Sequence, residues 1–484
     1  MLRSKQLKTL LACVLVLVFI ALHIYTTLIG KPYAPVLPIA ALVGLTAFYK
    51  PNWLIYLVVF SAPLSFNFED LGEAGVGFYF PTEPLLFGLL LLFIAQLIIK
   101  NPIPKKLLTH PVTVLIVFQL LWILITTIMS TMPVVSFKFL LARLWFVAVL
   151  YFLVGKIIYH QRNFKAIFLM YLVPMLGVIA FTVIKHAGHG FSEEAGHWIM
   201  WPFFKDHTSY GAVIALLLPP AISLLFQDKL SRLAKFGIAG AIIILIIGLV
   251  FSYTRAAWLS LGVSFVVFLA MLFRVRFKLL LGSLAVFVAL FFVVQDQLII
   301  MLEKNQQDSS DNFTEHITSM TNISSDASNL ERLNRWGCAI RMFADKPVFG
   351  FGPGTYMFKY APYQVSSEKT IISTNLGDAG NAHSEYLGPL AEMGLIGAVL
   401  MLALVLTVSQ LAFTLYFKMA NRNKRLMIMG VYLGLLSYFV HGVLNNFLDT
   451  DKISVLFWGF IAFLVVTDIH STDNNLLNKP ATKQ

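Results

Sequence analysis

Apolar stretches long enough to cross a bilayer recur along almost the whole of this 484-residue chain, and no water-soluble fold has a core that can hide so many. A helix of about 20 residues spans roughly 30 Å of hydrocarbon and pairs each backbone N–H and C=O within itself, as lipid demands. Bounded by charges and by Pro or Gly, the windows fall at 9–29, 34–49, 52–67, 81–99, 110–130, 137–155, 166–184, 209–226, 236–253, 256–273, 279–296, 387–416, 426–447 and 453–468. Composition agrees: AVILMFWYC make up 58% of the residues and DEKR only 12%, with a mean hydropathy of +0.78, too little polar surface for a water-soluble domain. The expected fold is an all-α polytopic membrane helix bundle of about 14 transmembrane helices, with one large extracytoplasmic loop containing short helices. No small-residue cleavage site follows 9–29, so that run is read as a membrane helix and not as a removed leader.

Charge supplies the orientation. With Arg3, Lys5 and Lys8 on the cytoplasmic side, alternate connectors carry Lys50; Lys100, Lys105 and Lys106; Lys156, Arg162 and Lys165; Lys229, Arg232 and Lys235; Arg274, Arg276 and Lys278; Lys418, Arg422, Lys424 and Arg425; and finally Lys479 and Lys483. These are 22 of the 36 basic residues, joined by only Asp228, Asp468 and Asp473 of the 24 acidic ones. One missed or invented span would scramble the alternation, so the pattern supports fourteen spans with both termini cytoplasmic. The organisation expected is 1–296 as N-terminal membrane helices (about 11 spans), 297–386 as an extracytoplasmic loop, and 387–484 as about three further spans with a cytoplasmic tail. The net charge of +12 is then a property of basic cytoplasmic loops facing the bilayer, not the mark of a nucleic-acid partner. Cys13 and Cys338 lie at different expected depths, and neither has the spacing of a disulfide or metal ligand. No paired-carboxylate metal motif occurs, and no cofactor is expected.

The long loop is the informative region. From about Gln297 to Glu385 the chain turns polar, with runs at 305–312 and 324–329 that cannot lie in lipid. Ser328-Asn329-Leu330-Glu331 reads as a capping box, with Glu331 reaching back to the first turn of a helix. Arg332, Trp336, Ala339 and Phe343 then share one face with Arg335 beside it, and Lys346-Pro347 ends the helix ahead of the Gly350-Phe351-Gly352-Pro353-Gly354 turn. These glycines suggest a tight bend. A phosphate cradle is the sharper reading, but no strand precedes them and no Lys-Ser/Thr follows.

Three segments carry a resemblance. Phe251-Ser252-Tyr253-Thr254-Arg255-Ala256-Ala257-Trp258 is the first. The second is Glu331-Arg332-Leu333-Asn334-Arg335-Trp336, running on to Lys346-Pro347-Val348-Phe349-Gly350-Phe351-Gly352. The third is Asn381-Ala382-His383-Ser384-Glu385-Tyr386-Leu387, followed by Glu392-Met393-Gly394-Leu395-Ile396-Gly397. In content and order they resemble the signature blocks of the bacterial O-antigen ligase and O-antigen polymerase family, in which Asn often stands at the place of Ser384. The resemblance covers about Phe251 to Gly397; the earlier helices agree only in number and hydropathy.

That resemblance implies transfer of a glycan from undecaprenyl diphosphate to an acceptor hydroxyl outside the bacterial cytoplasmic membrane. The acceptor would be a lipid A core glycolipid (ligase), a second lipid-linked glycan (polymerase) or a protein hydroxyl. Such a reaction needs fixed cations for the departing diphosphate, and Arg255 and Arg332 are the leading candidates, with Arg335 beside them. Arg255 reads equally as an interfacial anchor, and Arg332 as a surface charge paired with a loop carboxylate. His383, where the loop re-enters the membrane, is the candidate general base; a satisfied interfacial histidine is the plain alternative. Glu385 either orients that imidazole or begins the next helix. Further candidates for the substrate site are His207, with Asp206 as helix cap or site residue, and Arg143, which either assists the diphosphate or pairs with Glu83. Trp198, Trp201, Tyr356 and Tyr363 suit sugar stacking or an interfacial belt. Attack opposite the diphosphate would invert the anomeric centre, and arginines carrying the phosphate charge would make a metal unnecessary. A lipid-linked glycan flippase or other transporter is the competing class, but it would place ionisable residues midway along several spans.

Overall fold

The computed structural model describes residues 4–29, 36–71, 77–99, 103–286, 289–290, 327–369, 373 and 380–477. The polar runs at 305–312 and 324–326 and the end of the 279–296 window lie outside these residues. Two compact units are present, Met1–Leu57 and Val58–Gln484. The first holds α1 (Ser4–Leu28) and α2 (Val36–Tyr49) and the start of α3 (Pro51–Ser61), which Pro51 opens with its preset φ. Val16, Leu17 and Ile24 on α1 are exposed, as expected of a helix whose solvent is lipid.

Among its described residues, the second unit is helical apart from connectors and a two-residue antiparallel pair, Phe66–Asn67 with Tyr79–Phe80, ahead of α4 (Thr82–Ile98). Then follow α5 (Pro111–Ile128), α6 (Pro133–Gln161), α7 (Phe164–Ala187), α8 (His207–Leu225), α9 (Arg232–Val250), α10 (Arg255–Leu272), α11 (Ala327–Asp345), α12 (Leu387–Lys418), α13 (Arg422–Leu444) and α14 (Asp451–Leu477). The all-α expectation holds. Among the described residues nine helices are long and apolar enough to cross a membrane, α5 to α10 and α12 to α14, and each falls on an expected window. Shorter apolar stretches occur at Val16–Leu28, Pro51–Leu64, Thr82–Ile98 and Phe277–Val286. Several helices start earlier than their apolar windows because polar caps begin them. Asp206 Oδ1 accepts from Ser209 N (2.8 Å), Ser231 Oγ from Ala234 N (3.2 Å) and Asn421 Oδ1 from Lys424 N (3.0 Å).

Burial separates the inner helices from the outer ones. About four-fifths of the apolar window of α14 and nearly three-quarters of those of α8 and α13 are buried, against roughly a quarter for α9 and α10. The outward faces of α9 and α12 show Phe236, Ile243, Leu395 and Val399. The connectors sort by end as well. The salt bridge from Arg422 to Asp228 and the bond from Asp228 N to Asn423 Oδ1 (2.8 Å) join the α8–α9 connector to the start of α13. At the other end Glu385 N donates to Gly442 O (2.7 Å), and Thr254 Oγ1 to the carbonyl of His207 (2.8 Å). The basic connectors after α8 and before α13 therefore lie at the opposite end from the Ser252–Arg255, His383–Tyr386 and Asn445–Thr450 segments.

The glycine turn belongs to the architecture. α12 breaks at Gly394 (φ 67°, ψ −169°), and the Gly350–Gly354 turn fills the break. Phe351 N donates to Ala391 O (3.2 Å), Gly352 N to Glu392 O (2.8 Å) and Leu395 N to Pro347 O (2.9 Å), while Thr131 N donates to Phe351 O (2.9 Å). A Cβ on Gly352 would lie 2.0 Å from Ser130 Oγ, and one on Gly394 2.2 Å from Val348 O. The tight bend expected here exists so that backbone can meet backbone.

Candidate functional site

α11 ends at Asp345, where Lys346-Pro347 was expected to stop it. One face of it packs Cys338, Ala339 and Met342 against Tyr356, Tyr360, Ala382 and Ala391, which seats the helix on the segment carrying His383. Trp336 Nε1 reaches the carbonyl of His383 at 3.5 Å. α11 begins at Ala327, the side chain of the expected cap Ser328 lies outside the described residues, and Glu331 also bonds residues further along the helix. Its Oε1 accepts from Arg335 Nε (2.6 Å), and its Oε2 from Asn334 Nδ2 (3.3 Å) and Ser373 Oγ. Burial alone would raise the Glu331 carboxyl, but these donors outweigh it and hold it below the usual carboxylate range.

Arg335 is 5% exposed, with its guanidinium 4.3 Å from the ring centroid of Tyr360 and its buried Nη1 lacking a hydrogen-bond partner among the described residues. Arg332, one helical position round, is half-buried. His383 takes a left-handed conformation (φ 46°), and its N–H bonds Asn381 Oδ1 at 3.1 Å. Burial, then the charges of Arg332 and Arg335, pull its imidazole down to about 4, with Glu331 and Asp206 acting the other way. The fold thus brings together His383, Arg332, Arg335, Glu331 and Asp206.

Two other imidazoles share these neighbours. His207, first residue of α8, lies within electrostatic reach of Arg332 and Asp206, and so does His441, fully buried on α13. His207 Nδ1 meets Ser252 O at 2.9 Å, just ahead of Arg255, the half-buried first residue of α10. Asp206 acts as the cap of α8.

Other expectations are corrected. Glu385 neither caps α12 nor turns to His383; its Oε1 accepts from Phe447 N and Leu448 N (both 2.8 Å) and from Tyr438 Oη (2.5 Å). Burial, with the charge of Asp449, pushes its carboxyl up to about 7. Ser384 Oγ accepts from Tyr386 N and Leu387 N (both 3.3 Å), a capping task Asn performs equally well, which explains how either residue serves here. Arg143 does not pair with Glu83. It meets Asp449 Oδ1 at 2.8 Å, while Glu83 accepts from Tyr79 N at 3.2 Å. Tyr356 is buried and donates to Arg335 O (2.7 Å), and Tyr363 bonds Asp345, so both work in packing the loop. Trp198 and Trp201 are exposed and flank Lys185. No cluster of three His, Cys, Asp or Glu able to share a metal occurs among the described residues.

His441 was missed because a single histidine on an apolar helix carries no signal; only packing shows its neighbours. The buried Lys452–Asp451 pair at the start of α14 was missed too. Lys452 Nζ bonds Ser65 Oγ (2.7 Å), and Asp451 takes the hydroxyls of Ser65 and Thr82.

Comparison with curated proteins gives no match. Residues 240–402, which contain Arg255, Arg332, Arg335 and His383, match the family model described as O-antigen ligase.

Proposed function

We propose that this protein is a membrane glycosyltransferase that moves a glycan from undecaprenyl diphosphate to an acceptor hydroxyl on the outer face of the bacterial cytoplasmic membrane. The observation that carries the reading is the grouping of His383 with Arg332 and Arg335 at one end of the bundle, inside the stretch that matches the O-antigen ligase family. The opposite end holds the basic connectors, which favour the cytoplasm.

In this reading Arg255 and Arg332 bind oxygens of the diphosphate and meet the charge that grows as it leaves, with Arg335 adding positive potential from behind. The acceptor oxygen attacks the anomeric carbon from the far side, so the configuration inverts. The bond from that carbon to the phosphate oxygen breaks, its electron pair leaves on the diphosphate, and the acceptor proton passes to His383. With its pKa pulled down to about 4, His383 is neutral at pH 7 and ready to accept. Once the diphosphate offsets the nearby guanidiniums, the imidazole becomes more basic as the proton arrives. Guanidinium charge carries the leaving group, so the reading calls for no metal ion.

Arg255→Ala, Arg332→Ala and His383→Ala should each cut glycan transfer by at least about 100-fold while leaving membrane insertion and detergent-extracted yield intact. Full activity in all three would remove the mechanism. Deleting the gene and running surface glycan on a gel identifies the acceptor class. Long chains held on the carrier lipid indicate a ligase acting on lipid A core or a protein hydroxyl, and single-repeat products indicate a polymerase.

A further inference from the structure

His383 stands with its backbone in the left-handed region (φ 46°), where a residue with a Cβ stays only if its neighbours hold it. On its N-terminal side the hold is local: Asn381 Oδ1 accepts from His383 N (3.1 Å). On its C-terminal side the chain is docked onto the end of α13 and the connector into α14, residues that lie beyond the family-matched stretch. Glu385 N donates to Gly442 O (2.7 Å), and Tyr386 Oη to Phe439 O (2.8 Å). The Glu385 side chain, buried, then enters the connector, where its Oε1 accepts from Phe447 N and Leu448 N (both 2.8 Å) and from Tyr438 Oη. Two successive N–H groups aimed at one oxygen form a cradle for a carboxylate. That cradle is itself fixed, because Phe447 O accepts from Thr450 Oγ1 (2.7 Å) and Leu448 O from Ser454 Oγ (2.6 Å) at the start of α14. Gly442 leaves room for the crossing: a Cβ there would lie 3.0 Å from Glu385 Cγ.

We propose that Glu385 is a positioning residue: by seating its carboxylate in the Phe447–Leu448 cradle it fixes the backbone of His383, and so sets where that imidazole stands relative to Arg332 and Arg335. The proposal rests on the reading of His383 as the general base. Glu385 acts through the chain and not on the ring, since the three donors to its Oε1 belong to α13 and the connector. With Asn381 on one side and Glu385 on the other, the strained residue is held from both directions, once locally and once by the fold. The hold needs an acceptor oxygen more than a charge. Gln offers the same Oε1 to the same donors, whereas Leu keeps the size and offers none.

The test uses the full chain in membranes of cells carrying the native lipid-linked glycan, and reads kcat, KM for that glycan and the pH dependence of kcat/KM between about pH 4 and 8. Glu385→Leu should lower kcat by about 100-fold with KM changed by less than about 3-fold, because the base is misplaced while Arg255 and Arg332 stay where they are. It should also move the acid limb from about 4 up toward 6.5, as the ring leaves the two guanidiniums. Glu385→Gln should keep kcat within about 3-fold of the parent, with the acid limb in place. Both variants remove the carboxylate, so a difference between them reports the hold and not the charge. Equal loss in the two would overturn the proposal by showing that the carboxylate itself takes part. Full activity in Glu385→Leu, or lost activity with the acid limb unmoved, would overturn it too. If Glu385→Leu does not insert, Tyr438→Phe decides, since it removes one donor to Glu385 and keeps the ring. A kcat drop of about 3- to 10-fold together with a raised acid limb supports the hold, and any other result sinks it. Full activity in His383→Ala would instead remove the parent reading, which separates the two failures.

Discussion

His383 is the residue whose surroundings say most, because its neighbours change what its ring can do. Burial and two guanidiniums bring the imidazole from the ordinary 6.5 to about 4. Between those values an unfolded chain would bind the proton and the folded one would not, so folded-state stability falls as pH drops from about 6.5 toward 4. The same sign governs catalysis. In the free protein His383 is already neutral at pH 7, and kcat/KM for transfer should stay flat down to about pH 5 and fall only on approach to 4. A profile that bends near 6.5 would show a solvated ring. Arg332→Gln should move the acid limb upward, because one depressing charge is gone, whereas Arg332→Lys should leave it in place. The roles proposed for His383, Arg332 and Arg255 come from the sequence, because each sits in a short block with a recognisable neighbourhood. Local helix-start logic marks only one use of Glu331; its bonds to Arg335, four residues on, and to Ser373, 42 residues away, depend on helix spacing and on the fold. His441 had nothing local to mark it; Arg332 comes to it only through the fold.

At the scale of elements, α12 and the glycine turn act as one part. Gly394 occupies φ 67°, ψ −169°, a region open in practice to glycine alone, and Val348 O lies where a methyl would go. Gly394→Ala should cost about 1–3 kcal/mol from backbone strain and about as much again from the crowding. Thermal unfolding in detergent should register this as a clear drop in Tm. Gly262→Ala is the internal control: it sits in helix α10 with nothing within 4 Å of the added methyl, and should be neutral or stabilising by up to about 1 kcal/mol. Equal Tm values for the two variants would mean the turn does not clamp the break. Hydropathy made the long helices readable, since lipid enforces a length and a composition on each of them. It carries no information on the π-helical turn at Phe146–Leu153 inside α6, or on the partner of the break at Gly394, because those depend on which backbone lies alongside.

For the whole molecule, the informative fact is that polar work is concentrated at one end of the most buried helices. α8, α13 and α14 present His207, His441, Asp451 and Lys452 at the end where the α11 loop helix rests, whereas Asp228, Lys229 and Arg422 lie at the other. A transporter would need a polar path between the two ends, but the described bonding of His207, His441 and Lys452 goes to neighbours at their own end. A transferase needs only one polar end, open to the side where donor and acceptor meet. That asymmetry can be tested independently of activity. In a chain with Cys13 and Cys338 replaced by Ser, single cysteines at Lys205 and Val365 mark the site end, and cysteines at Lys229 and Arg276 mark the basic end; all four native side chains are exposed. A membrane-impermeant maleimide added to intact spheroplasts should label the first pair, and reach the second only after permeabilisation. The reverse pattern would turn the His383–Arg332 group toward the cytoplasm and defeat outer-face transfer, even with the helical bundle unchanged.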